Sequence, residues 1–134
     1  MSEPIWQPSA ERVRTANLTA FLGRLRETGV SGLDGYVALH DWSVREPAAF
    51  WTAVWEFCGI RASRPGSPVV DDAARMPGAR WFDGARLNFA ENLLRSRDNE
   101  PALVSWNEQG PYRRLTHEVL HDEVARAARG LRGL

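Results

Sequence analysis

Residues 60–80, IRASRPGSPVVDDAARMPGAR, limit the possible folds more than any other stretch of this chain. Pro65, Pro68 and Pro77 withhold backbone donors, Gly66 and Gly78 loosen the backbone, and Val69 and Val70 are a brief apolar interruption. A structureless run of this length is uncommon inside a compact domain unless it crosses or wraps another element. The segment is therefore expected to be a surface traverse, the alternative being a linker.

Helical patterns come before it. Pro4 and Pro8 make residues 1–14 an irregular arm. A helix is predicted over Ala16–Arg26, with Val13, Asn17, Ala20, Phe21 and Leu25 giving one partly apolar side and TGVSGLDG stopping it. YVALHDW reads as a short extended piece. In WSVREPAAFWTAVWEFCG, Ser43 and Glu46 have capping-box spacing, while Pro47 is suited to the first helical position and would move the cap to Glu46 or its neighbour. Phe50, Val54, Phe57 and Cys58 form a stripe that Trp51 and Trp55 widen, and Gly59 can end the helix left-handed. This places Cys58 in packing, with a reactive thiol as the lesser alternative.

After the traverse, WFDGARLNFAENLL supplies a glycine turn at Gly84 and a short helix. Asn88 and Glu91 are spaced for a reciprocal cap, and Phe89 and Leu93 lie one turn apart. The stretch reads as a docking device rather than a ligand contact. PALVSWNEQGPYRRLT then predicts a hairpin too short to stand alone. Thr116 can cap a helix in which Leu120, Val124, Ala127 and Leu131 share a face. No strand follows to receive that helix, so the pattern reads as the opening of a larger fold.

Composition narrows the function classes. The 134 residues carry 17 Lys plus Arg against 17 Asp plus Glu, and no basic run marks a nucleic-acid surface. One cysteine excludes an intramolecular disulfide and a multi-cysteine zinc site. The first residues lack a signal-peptide pattern and no window has membrane-spanning length, so a cytoplasmic location without membrane insertion is expected. Six dispersed tryptophans suit the anchoring of loosely regular segments onto a larger body.

Chemistry is sparse. His117-Glu118-Val119-Leu120-His121 has the spacing of a zinc-peptidase helix, in which two imidazoles share a face and the glutamate activates water. Asp122 and Glu123 follow where such helices favour uncharged residues, and only His40 offers a third imidazole, so two exposed or locally bonded histidines in a first helical turn are expected instead. GVSGLDG lacks the strand and helix context of a phosphate loop, and no serine occupies G-x-S-x-G. These residues alone favour a non-catalytic cytosolic interaction module.

Two longer runs carry a resemblance. Trp42–Phe57, WSVREPAAFWTAVWEF, and Arg80–Leu94, RWFDGARLNFAENLL, are similar to the N-terminal region of acyl-CoA synthetases of the adenylate-forming family, most closely the branch acting on acetoacetate. Leu115, Thr116, Leu120, Val124 and Ala128 continue the likeness, while His117 and Val119 depart from it. The resemblance implies a mixed α/β, helix-rich N-terminal portion of a larger adenylate-forming fold, not a complete catalytic domain. Residues 1–79 would be a helical arm and traverse, and residues 80–134 the short helix, hairpin and helix that begin the large domain.

The implied parent enzyme joins acetoacetate to ATP as an acyl-adenylate and passes the acyl group to CoA, using Mg2+ and a lysine on a mobile C-terminal domain. None of those groups has a counterpart here. No catalytic, cofactor-binding or metal residue is therefore expected in this chain, and the isolated piece is expected to be inactive. Its expected partners are the remainder of such an enzyme, with acetoacetate and CoA for the parent. The alternative within the family is another short-chain acyl-CoA synthetase.

Overall fold

The computed structural model describes residues 5–133. Pro4 and the start of the expected arm lie outside the described residues. The chain divides into two compact units, with the boundary in sequence between Arg86 and Leu87.

The first unit is built on helices α1 (Ala10–Arg14), α2 (Asn17–Glu27), α3 (Tyr36–Arg45) and α4 (Pro47–Phe57). The short α1 replaces part of the expected irregular arm. Pro8 stands before the helix, Ser9 Oγ accepts from the Arg12 amide, and Glu11 pairs with Arg14 at 2.7 Å. α2 covers nearly the predicted span, but its buried side chains are Phe21, Leu22 and Leu25, whereas Val13 is half exposed. Past its end, Gly29 takes φ +89° and the Val30 amide reaches back to Leu25 O at 3.0 Å, closing the helix with a left-handed cap.

YVALHDW is not extended; it opens α3. Leu39 and Trp42 explain the outcome. Three residues apart, they fall on one face of a helix but on opposite faces of a strand, and both join the core around Leu25. The anticipated Ser43–Glu46 box does not form. Ser43 Oγ donates instead to His40 O within α3, and α4 starts with Pro47 behind a Glu46 whose side chain makes no cap.

The core consists of Phe21, Leu22, Leu25, Leu33 and Leu39, with Val30, Trp42, Phe50, Ala53 and Val54 packed against it. Phe21 meets Phe50 edge-on at 6.1 Å and Phe57 at 5.1 Å. Cys58 corrects another expectation: it is exposed, because the helix ends at that residue and carries it off the packed stripe. Gly59 then adopts φ +58° and Ile60 N donates to Trp55 O, the left-handed stop anticipated from the glycine.

Residues 60–86 fold back on themselves instead of running out as a linker. Arg64 bridges Arg86 and Val70 bridges Trp81, both antiparallel. Ser63 N donates to Arg86 O, Ser67 N to Asp83 O, and Phe82 N to Val69 O. These bonds satisfy backbone groups that the prolines keep out of regular structure.

The second unit contains α5 (Phe89–Leu93), β1 (Pro101–Asn107), β2 (Gly110–Thr116) and α6 (His117–Arg132). The strands form a two-stranded antiparallel sheet, with irregularities between Pro101 and Leu103 and between Ser105 and Trp106. Gly110 makes the turn at φ +113°. Thr116 Oγ1 caps α6 by accepting from the Val119 amide, and α6 packs along both strands. Taken together, the described elements are mixed α/β and helix-rich, with one small sheet.

Candidate functional site

The strongest local construction in the first unit is the turn that presents Trp81 and Phe82. It depends on Asp71. Its Oδ1 accepts from the Arg80 amide at 2.8 Å and the Asp72 amide at 2.7 Å, while Oδ2 accepts from Arg80 Nε at 3.1 Å and Arg75 Nη1 at 3.3 Å. The Arg80 backbone and side chain together hold the Asp71 carboxyl down at about 2, against a usual 3.8, with its partial burial pulling the other way. Arg80 is correspondingly raised. Asp71 thus closes the 72–79 loop and delivers Trp81 to its bridge with Val70.

Phe82 is the only described non-glycine residue with positive φ, at +48°, a region in which a bulky side chain is strained. Two groups hold it there. Its amide donates to Val69 O at 2.7 Å, and its carbonyl lies against Gly66, where an added Cβ would sit 2.1 Å from that oxygen. Only glycine fits at 66. Gly84 then turns the chain at φ +71°, beneath an Arg64 whose Nε donates to Gly84 O at 2.7 Å.

The resulting ledge faces α4. Trp81 lies edge-on to Trp51 at 6.0 Å, and Phe82 tilts against Trp55 at 4.6 Å. Phe50 links Trp51 to Trp42, with centroids 5.2 and 6.0 Å apart, so a row of rings runs from the core to the turn. Trp51, Trp81 and Phe82 frame an open concavity of about 370 Å3. A neighbouring one of about 310 Å3 is lined by Thr52, Trp55, Glu56, Pro65, Gly66, Val69 and Phe82. Such surfaces pack or stack. The cationic or amide-rich lining that a triphosphate requires is missing from both. ATP, Mg2+ and the CoA diphosphate do not fit these residues.

The zinc-like motif is resolved differently. His117 is the first residue of α6, and its Nδ1 lies 2.6 Å from Asp98 Oδ1. That hydrogen bond is the main cause of the lowered Asp98 pKa. The Glu118 amide also donates to Asp98 O, so Asp98 ties the segment before β1 to the start of α6. His121 Nδ1 is 3.5 Å from Asp122, and His40 belongs to α3, beside Asp41. Among the described residues, no three His, Cys, Asp or Glu side chains gather as metal ligands.

Asn88 stands where its sequence context put it, at the N-cap of α5, with Oδ1 accepting from the Glu91 amide at 3.2 Å. Phe89 and Leu93 are exposed, at 76% and 64%. Sequence reasoning overlooked the Asp71 clasp and the Gly66–Phe82 approach. The only local hints were an Asp-Asp pair entering a proline-rich segment and a glycine directly after Pro65.

A helical region bearing tryptophans, a clasped aromatic turn and a capped short helix, followed by a hairpin and helix, corresponds to the N-terminal part of an adenylate-forming domain. The family described as "Acetyl-coenzyme A synthetase N-terminus" matches residues 36–93, from the first residue of α3 to the last of α5. An acetoacetyl-coenzyme A synthetase of Rhizobium meliloti (strain 1021) is 41% identical over 96% of this chain and 20% of the relative. A malonamoyl-CoA synthetase of Penicillium aethiopicum is 39% identical over 98% of this chain and 19% of the relative. The solved acetoacetyl-CoA synthetase from Streptomyces lividans superposes with a TM-score of 0.83 at 41% identity, covering 98% of this chain and 21% of that one. The chain thus matches the N-terminal region of the acyl-CoA and acetoacetyl-CoA synthetase family. It spans about one fifth of the length of these relatives. Among the described residues, no helix is long and apolar enough to cross a membrane.

Proposed function

We propose that this chain is the N-terminal portion of an ATP-dependent acetoacetate–CoA ligase, whose complete form makes acetoacetyl-CoA through an acyl-adenylate. The observation that carries the reading is the 41% identity to the Rhizobium meliloti acetoacetyl-coenzyme A synthetase over 96% of the chain. The likeness to the Streptomyces lividans enzyme supports it in three dimensions.

In this reading the chain has a structural role. Residues 1–79 form an arm and traverse, and residues 80–134 open the large adenylate-forming domain. Its partner is the remainder of the enzyme, which covers Phe89, Leu93 and the apolar side of the hairpin and brings the residues that handle ATP, Mg2+, CoA and acetoacetate. No catalytic, cofactor-binding or metal residue is assigned within these 134 residues, the isolated chain is inactive, and the enzyme is cytoplasmic.

Two assays test this. The mass-verified 134-residue chain, given acetoacetate, ATP, Mg2+ and CoA, is expected to form no acetoacetyl-CoA; turnover there would refute the structural role. Grafted in place of the matching segment of the Rhizobium meliloti enzyme, it is expected to preserve acetoacetyl-CoA formation. A folded, inactive graft would count against the assignment.

A second reading, another short-chain acyl-CoA synthetase, draws on the match to an acetyl-coenzyme A synthetase N-terminus and on 39% identity to a malonamoyl-CoA synthetase. Comparing kcat/KM for acetoacetate, acetate and malonamate in the complete enzyme separates the two. Preference for acetoacetate is the expected result.

A further inference from the structure

No further inference is drawn: the strongest candidate, the apolar concavity framed by Trp51, Trp81 and Phe82 beside α4, carries no proposal because nothing in the structure shows what covers it.

Discussion

The two units reach order by different means. In the first, Phe21, Leu22, Leu25, Leu33 and Leu39 are buried, and helices of modest intrinsic quality are fastened around them. α2 and α4 both begin without a side-chain cap. In the second, both helices are capped, by Asn88 and Thr116, and the strands pair along their length, yet no described residue there is buried. Leu103, Val104, Trp106, Val124 and Leu131 stay exposed. Local signals are therefore enough to specify helix and hairpin, whereas burial of apolar area supplies most of the stability of a fold.

Truncating the core should give the largest contrast. Leu25 is 1% exposed, so Leu25→Ala is expected to cost about 2–5 kcal/mol, while Leu131→Ala, 72% exposed, should stay within about 0.5 kcal/mol. Urea unfolding followed by tryptophan fluorescence measures both. Equal losses at the two positions would erase the distinction between the units.

Gly66→Ala comes next. The new methyl would meet the Phe82 carbonyl at 2.1 Å, so the turn has to move, at about 1–3 kcal/mol. Near-ultraviolet circular dichroism should lose part of the signal from the Trp55–Phe82 and Trp51–Trp81 pairs, and an unchanged spectrum would contradict the close approach.

Caps should matter in the second unit. Asn88→Ala and Thr116→Ala are each expected to cost about 1 kcal/mol, seen as faster amide exchange at the starts of α5 and α6. Unaltered exchange would show that the ends of these helices do not depend on their side chains.

The smallest and most condition-dependent effect belongs to Asp71. Its folded pKa, about 2, lies below the usual 3.8, so the unfolded chain takes up the proton first as pH falls. The contribution is complete above the ordinary carboxylate range and disappears as pH drops through about 2. Stability of the native chain minus that of Asp71→Asn should accordingly be constant near neutrality and shrink over that acid window. A difference that grows on acidification would reverse the sign and remove the clasp as its cause.

What was legible in the sequence follows the same division. Pro47, Gly59, Asn88 and Thr116 each act within a few residues, through fixed φ, tolerance of positive φ or a side-chain oxygen three residues from its donor, and each stands where it was expected. In the HEVLH motif only His121 has a sequence-local partner, Asp122, whereas His117 pairs with Asp98, 19 residues earlier. Readings that depended on a distant partner went astray. YVALHDW looked extended until Leu39 and Trp42 were required on one side of the core, and Cys58 looked buried because the periodicity of α4 says nothing of where packing stops.

By itself the sequence determined the element types of its best-signalled stretches, the mixed helix-rich class and, through two long motifs, the likeness to acyl-CoA synthetases. Tertiary structure alone decided which apolar face became a core, that residues 60–86 close on themselves, and that a strained Phe82 is held by Val69 and Gly66. The physical reason is range. Caps and turns are settled by neighbours along the chain, while burial and close backbone approach arise only when segments far apart in sequence share the same space.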